Sequence, residues 1–491
     1  MRGCIIGSEV SQFPMLKLRS VFQLAVHIQF CCLSILLLFL SVYLSADESK
    51  ERNRQVLTGE IDGYRGIWFD LGQKSDYGSK YSGGLGTYTA KHCPLAVYSS
   101  EVDKTFFVYG GTTRQNERRL LAMIGYYDHS TGMVCKPVIV HDKQKVNDPH
   151  DNPSLSIDSD GYLWVFVSGR GRHRPGFKYK SKEPFNIQAF EQISEEEFTY
   201  PQPWWIPEEG FLHLFTKYTK GRELYWNKSK YGLGWTEDRK LAGMGGHYQI
   251  SRRIGSRVIT AFNYHPGGNV DQRTNLYYLE TSDLGANWRT VDGQTIVTPL
   301  TDTNHPTLIK DYQADSRLVY LKDITVDAQR NPVILHITSD QYQPGPHPRP
   351  REWTIAHWDG KKWNLNTITR AWHNYDMGSL YIEPDETWRL IAPIPPGPQR
   401  HGTGGEMSMW IRPSGTDQWN HLRTLTEESP RNHGYARRPV NAHPEFYAFW
   451  ADGNPDQLTP SYLYFTNQNG TKLWRLPYSM KEPLESPHRI Y

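Results

Sequence analysis

The sequence predicts an all-β fold, a seven-bladed β-propeller of four-stranded antiparallel blades whose ring is closed by an N-terminal strand. Three observations carry that expectation. The 491 residues include 13% aromatics, 41 Gly and 32 Pro, a composition of short strands and tight turns rather than long helices. Seven short apolar runs recur along the chain, each behind a turn cluster. One hairpin, Thr281–Trp288, fits the Asp-box pattern S/T-x-D-x-G-x-T/N-W. So aromatic a chain buries too much surface to remain a solvated polymer, and a net charge of +3 gives no global field for nucleic acid.

The N-terminal segment stands apart. Arg2, Lys17 and Arg19 precede an apolar stretch over Val21–Ala46, and Ser45-Ala46-Asp47 follows. A basic start, an apolar centre and a small-residue exit read as a secretory signal over residues 1–46. An uncleaved membrane anchor is the alternative, because Leu44 is large for a cleavage site. Either reading exports the remainder, as a secreted or periplasmic protein or as a propeller anchored outside the cytoplasm. Residues 47–62 read as a charged linker and 63–491 as the propeller, expected to be a monomer. Cys4, Cys31 and Cys32 fall in the leader, which leaves Cys93 and Cys135 as two buried thiols or one disulfide.

The first element of the body is Gly66–Leu71 (GIWFDL), expected to close the ring by joining the last blade, since an unpaired edge is costly. The apolar runs follow at Thr105–Tyr109, Tyr162–Val167, Phe211–Phe215, Val258–Phe262, Val333–Ile337, Trp388–Ala392 and Phe446–Trp450. Each is too short for a helix and suits a buried strand. Strand pairs around tight turns come after them, as in 276–291, 353–368, 408–425 and 461–477, and complete four strands per unit. In the Asp box, Asp283 and Gly285 build the turn and Trp288 plugs between strands. That box specifies fold, not chemistry.

In a four-stranded antiparallel blade, the loop leading into the first strand and the loop after the second share one face. The leading loops hold Lys91-His92, Asp148–Asn152 with His150, Tyr200, His247-Tyr248, Lys322-Asp323, His373-Asn374-Tyr375 and Asn432–Arg438 with Tyr435 and Arg437. The second loops hold Arg170–Arg174 with His173, Lys217–Arg222, Tyr264-His265, and Arg400-His401. One mouth of the ring is therefore expected to be cationic and aromatic. Such a mouth suits an acidic sugar chain, with tyrosines stacking on the rings and Lys or Arg pairing with carboxylate or sulfate. HExxH, GxSxG and CxxC patterns are missing from the sequence, which argues against zincins, α/β-hydrolases and thioredoxin chemistry. His247, His265 and Cys93 are compatible with a structural metal ion, though their spacing does not demand one.

The stretch Asp148–Gly171, then His173, then Thr199-Tyr200-Pro201-Gln202 resembles the BNR-4 family of propellers, which includes the ulvan lyases of polysaccharide lyase families 24 and 25. The resemblance implies β-elimination on a uronate-containing polysaccharide, with no cofactor required. It implies His150 as base, Tyr200 as acid, His173 as orienter or substrate partner, and Lys217 as neutraliser of the carboxylate. Base and acid are interchangeable at this stage. Lys217 stands where the lyases carry an arginine, and Arg222 is the nearby substitute. Asn152, Arg170, Arg222, Tyr264, His265, His373, Tyr375, Tyr435 and Arg437 are the expected substrate contacts. A glycoside hydrolase would need paired acids, for which Asp323, Asp376 and Glu406 are available, and a non-catalytic glycan-binding propeller is the third reading.

Overall fold

A computed structural model describes residues 56–491 apart from 86–90, 115–116, 118 and 147, so the expected leader and most of the linker lie outside the described residues. Among the described residues no helix is long and apolar enough to cross a membrane. Strands dominate, interrupted by three single-turn 3-10 helices among the described residues. Every apolar run predicted from the sequence overlaps a strand: Lys104–Gly111, Leu163–Val167, Gly210–Tyr218, Arg257–Tyr264, Pro332–Ser339, Trp388–Pro393 and Ala448–Gly453. These strands show little polar alternation because neighbouring sheets cover both faces; all five residues of Leu163–Val167 are buried.

The architecture is an all-β propeller, but not seven like blades. Six discrete antiparallel blades of four to six strands run from Pro153–Ile157 to His488–Arg489. Ahead of them, Ala96–Ser99, Lys104–Gly111, Leu121–Asp128, Met133–Cys135 and Val138–Asp142 merge into a nine-stranded sheet. The other four strands come from the two ends of the described chain: Gly59–Glu60, Gly66–Ile67, Pro460–Ser461 and Leu484–Glu485. Short strands from both ends thus cover ladder edges that would otherwise face water.

The expected closure also needs correction. Gly66–Ile67 does not extend the last blade, whose outer strands are Leu473–Arg475 and His488–Arg489. Instead it pairs with Gly111 on one side and Pro460–Ser461 on the other. The seam between the two ends of the ring is a parallel bridge from Val97 to Val440, with Tyr98 N–H donating to Val440 O and Val440 N–H to Ala96 O, each at 2.9 Å.

The Asp box folds as its sequence requires. Asp283 accepts from Thr281 Oγ1 at 2.8 Å and Asn287 N–H at 2.9 Å, and Gly285 adopts φ +76° against the Trp226 ring. Trp288 is buried and meets Trp226 edge to face at 6.2 Å. Cys93 and Cys135 are both free and buried, so the thiol reading holds and the disulfide does not form.

The first strands of successive sheets pack side by side, and their chain direction sorts residues between two mouths. Residues just before or early in a first strand lie toward one mouth, and those at its end toward the other.

Candidate functional site

The loop before Pro153–Ile157 turns through a single 3-10 turn, Pro149–Asp151, capped by the Asp148 side chain. Asp148 accepts from both the backbone N–H and Nδ1 of His150, and from Arg170 and Arg174 at 2.8 and 2.7 Å. His150 is fully buried. Burial pushes its imidazole down to about 4, against the upward pull of Asp148. The ring is therefore neutral at pH 7, with Nδ1 committed to Asp148.

Tyr200 holds φ +57°, a left-handed conformation that bulky residues rarely adopt, and the ladder slips register between Thr199 and Gln202. Its N–H is held by Ser168 Oγ at 3.1 Å. This kink turns the buried ring inward, 5.6 Å from His150, 5.6 Å from His92 and 5.8 Å from Tyr248. Burial and the neighbouring Tyr218 and Tyr248 phenols raise the Tyr200 pKa well above the usual phenol value.

Tyr248 is buried beside it with the opposite electrostatics. Burial alone would raise its pKa, but the Arg222 and Arg273 guanidiniums, 5.9 and 4.8 Å from the ring, hold it below the ordinary tyrosine value. Arg222 also lies over Tyr218 at 5.4 Å. Arg273 is caged by three phenol rings, being 4.4 Å from Tyr320 and 5.1 Å from Tyr375 as well, and it donates to the Tyr375 hydroxyl at 3.1 Å. Two buried lysines back the wall: Lys91 donates to Leu321 O at 3.0 Å and Lys322 to Asn374 O at 2.6 Å. Burial, aided by neighbouring cations, pulls both amines well below their usual range. The result is a pit of neutral imidazole, phenols and guanidiniums, able to hold an anion and exchange protons beside it.

Of the residues expected from the sequence, His150, Tyr200, Arg170, Arg222, His265 and Tyr375 belong to this cluster; His265 packs on Tyr248 at 4.8 Å. The others do not. His173 is exposed on its loop. Lys217 is ion-paired with Asp238 at 2.9 Å, just ahead of the strand Arg239–Ala242, and lies over Tyr225. Asn152 ties the loop to Gly84 O at 2.8 Å, and Tyr435 donates to Ser82 O at 2.6 Å, so both hold backbone rather than ligand. Tyr264 packs against its own blade's core. His373 stands behind Tyr375, with Nδ1 near Thr403 Oγ1 at 3.3 Å. Arg437 donates to His92 O at 3.2 Å and faces the opposite mouth. Tyr248 and His92 lie on leading loops but carry no motif of their own. Arg273 and Tyr320 gave no signal, because Arg273 follows a short helical turn and Tyr320 sits within a strand.

The three acids that a hydrolase would need are spent on loop backbone or on arginine. Asp376 accepts from Gly404 and His373 N–H at 2.8 Å each, and Glu406 from Ser429 N–H at 2.8 Å. Asp323 pairs with Arg438 at 3.1 Å. Among the described residues no three His, Cys, Asp or Glu side chains converge as metal ligands.

The fold and site together are an antiparallel propeller with a cationic, phenol-lined cluster at one mouth. The chain belongs to the BNR repeat-containing family, whose BNR_4 model matches residues 118–371, just over half of its length. It is 19% identical over 415 residues to an ulvan lyase of Alteromonas sp. (strain LOR), covering 75% of this chain and 82% of that one. It is 23% identical over 260 residues to an ulvan lyase of Nonlabens ulvanivorans, covering 45% of this chain and 54% of that one. Its fold matches that of a PL25 ulvan lyase solved bound to -[GlcA(1-4)Rha3S]-, with a TM-score of 0.63 at 15% identity, over 84% of this chain and 96% of the other.

Proposed function

We propose that the protein is a polysaccharide lyase that cleaves a uronate-containing, ulvan-like polysaccharide by β-elimination. The observation that carries this reading is the Arg222–Tyr248–Arg273 stack set against Tyr200 and His150. The curated relatives are ulvan lyases, and the bound saccharide of the similar structure contains a uronate, which supports an acidic polymer as substrate.

A uronate C5 proton becomes removable only when its carboxylate is neutralised, since charge builds toward an enolate. Arg222, half-buried over two phenol faces, takes that role in place of the withdrawn Lys217. His150, neutral and held by Asp148, accepts the C5 proton; the C5–H electron pair forms the C4–C5 double bond as the C4–O4 bond breaks. Tyr200, whose raised pKa keeps it protonated, gives its proton to the leaving O4. The imidazolium then returns a proton to the phenolate through solvent, so no cofactor is consumed. Export, expected from the leader, suits a polymeric substrate.

The test is incubation with ulvan, other uronate glycans and neutral glycans, following ultraviolet absorbance and reducing ends together. New absorbance of an unsaturated uronate with matching ends supports the lyase. Reducing ends without absorbance, or binding with neither, overturns it.

A further inference from the structure

Residues 91–95 lead into the strand Ala96–Ser99, and the elimination steps leave them without a role. His92 is fully buried in this segment. Its Nε2–H donates to the backbone carbonyl of His150 at 3.0 Å, and its ring meets that of Tyr200 edge to face, at 79° and 5.6 Å. One side chain therefore touches both residues assigned to the proton transfers. The backbone beside it repeats the link. Cys93 N–H donates to Pro201 O, next to Tyr200, at 3.4 Å, and Ser154 Oγ donates to the same oxygen at 2.8 Å. Leu155 N–H donates to Pro94 O at 2.9 Å, on the strand that follows the His150 turn. The segment is itself anchored from two further directions, by Lys91 Nζ on Leu321 O at 3.0 Å and by Arg437 on His92 O at 3.2 Å. Burial pushes the His92 imidazole down to about 3, against the upward pull of its bond to His150 O. The ring is neutral at pH 7, so it neither competes with His150 for a proton nor sets a positive charge beside the Tyr200 phenol.

We propose that His92 is a positioning residue, which sets the separation and facing of the His150 imidazole and the Tyr200 phenol and takes no proton itself. The reaction it serves is the elimination proposed above, so the role rests on that reading. Base and acid must act on C5–H and O4 of one sugar residue, groups on adjacent carbons, so the two side chains have to converge on a span of a few ångströms. A displacement of about 1 Å at such a site costs about 10²-fold in rate. Asp148 holds the ring of His150, and Ser168 holds the backbone of Tyr200 in its left-handed conformation. Each of these bonds fixes one partner. His92 joins the two, and it does so from a third sheet that neither partner belongs to.

Steady-state kinetics of the full chain on ulvan, with His92→Phe and His92→Gln, test the role. Phe keeps a ring without the donor, and Gln places an amide N–H where Nε2–H stood. His92→Phe should lower kcat by about tenfold or more with KM changed less than about twofold, and His92→Gln should recover kcat to within about threefold of the unaltered protein. An unchanged kcat in His92→Phe, a loss confined to KM, or equal losses in the two variants overturns the proposal and leaves the lyase reading standing. Should His92→Phe not fold, His92→Asn takes its place, since the shorter amide does not reach His150 O; Asn as active as Gln overturns the proposal. If the unaltered protein yields no unsaturated uronate, the lyase reading is the one that fails. Nitrogen-15 spectra of the histidine-labelled protein then decide the contact without turnover. The His150 ring signals, assigned through His150→Gln, should move in His92→Phe and hold in His92→Gln; His150 signals unmoved in His92→Phe show that His92 does not position the base.

Discussion

Replacing Asp148 by Asn tests the pit most directly, because two effects of opposite appearance follow from one atom. Asp148 fixes His150 Nδ1 as donor, and an amide of the same shape no longer enforces that tautomer. A misoriented general base costs roughly 10²–10⁴-fold in kcat. The pH dependence then carries the sign. In the unaltered protein burial holds His150 at about 4, so the acid limb of kcat/KM lies near that value and well below 6.5. At pH 6 about 99% of His150 is neutral, against about a quarter for an unperturbed histidine. Asp148 is the group that pulls this pKa upward, while Arg170 and Arg222 push it down. Its removal therefore moves the acid limb to lower pH. Folding should suffer little: Arg174 keeps Asp151 at 2.8 Å, and the Arg170 and Arg174 side chains are 36% and 29% exposed, so water replaces the lost partner at a cost of about 1 kcal/mol. A stopped pH series of unsaturated-uronate absorbance on both proteins is the assay. An acid limb near 6.5, an upward shift in Asp148→Asn, or an undiminished kcat refutes His150 as the base.

Three further outcomes follow from the geometry. Arg222→Ala should lower kcat/KM by about a hundredfold or more, whereas Lys217→Ala should change it less than about threefold, since Lys217 is held by Asp238; steady-state kinetics with the reverse order would return the neutralising role to Lys217. Tyr248→Phe should cut kcat by about tenfold and move the alkaline limb of the pH profile upward, because the phenol that titrates below the usual tyrosine range is gone; an unmoved limb shows that Tyr248 does not titrate in the reaction. His433 accepts from Trp450 Nε1 at 3.0 Å and is buried with its pKa lowered to about 3, so the unfolded chain binds its proton first. Stability from this site is complete above about 6.5 and is lost as pH falls toward 3, by roughly 5 kcal/mol at most; denaturant unfolding of His433→Gln should show a shallower loss over that window, and equal slopes would refute the linkage.

Much of the fold was legible because its signals are local. A run such as Leu163–Val167 is apolar at every position since both faces are covered, and the Asp box writes its own turn through Asp283 and Gly285. The merged sheet was not legible. Gly59–Glu60, Leu484–Glu485 and Pro460–Ser461 are two-residue strands whose pairing depends on which distant edge they meet, and two residues carry no periodicity. The same limit misassigned Gly66–Leu71, which is apolar enough to close a ring but whose partners, Gly111 and Ser461, are chosen in three dimensions.

The site divides along the same line, with a sharper consequence. Loop position sufficed for His150 and Tyr200, because a residue just before a first strand must lie at that mouth. It failed for Lys217 and His173, where the mouth was right but the direction of the side chain was not. Lys217 pairs across the strand to Asp238, a residue some twenty positions later that no motif connects to it. It failed differently for Arg273, which reaches the pit from beyond a helical turn and is fixed there by Tyr248, Tyr320 and Tyr375, three phenols on separate blades. A guanidinium enclosed this way loses little freedom on meeting a carboxylate, since its orientation is set before the ligand arrives. The cationic charge of the pit thus comes from several blades rather than from one motif. A resemblance carried by Asp148–Gln202 thus marks His150 and Tyr200, which the structure brings together, and Lys217, which pairs with Asp238 instead.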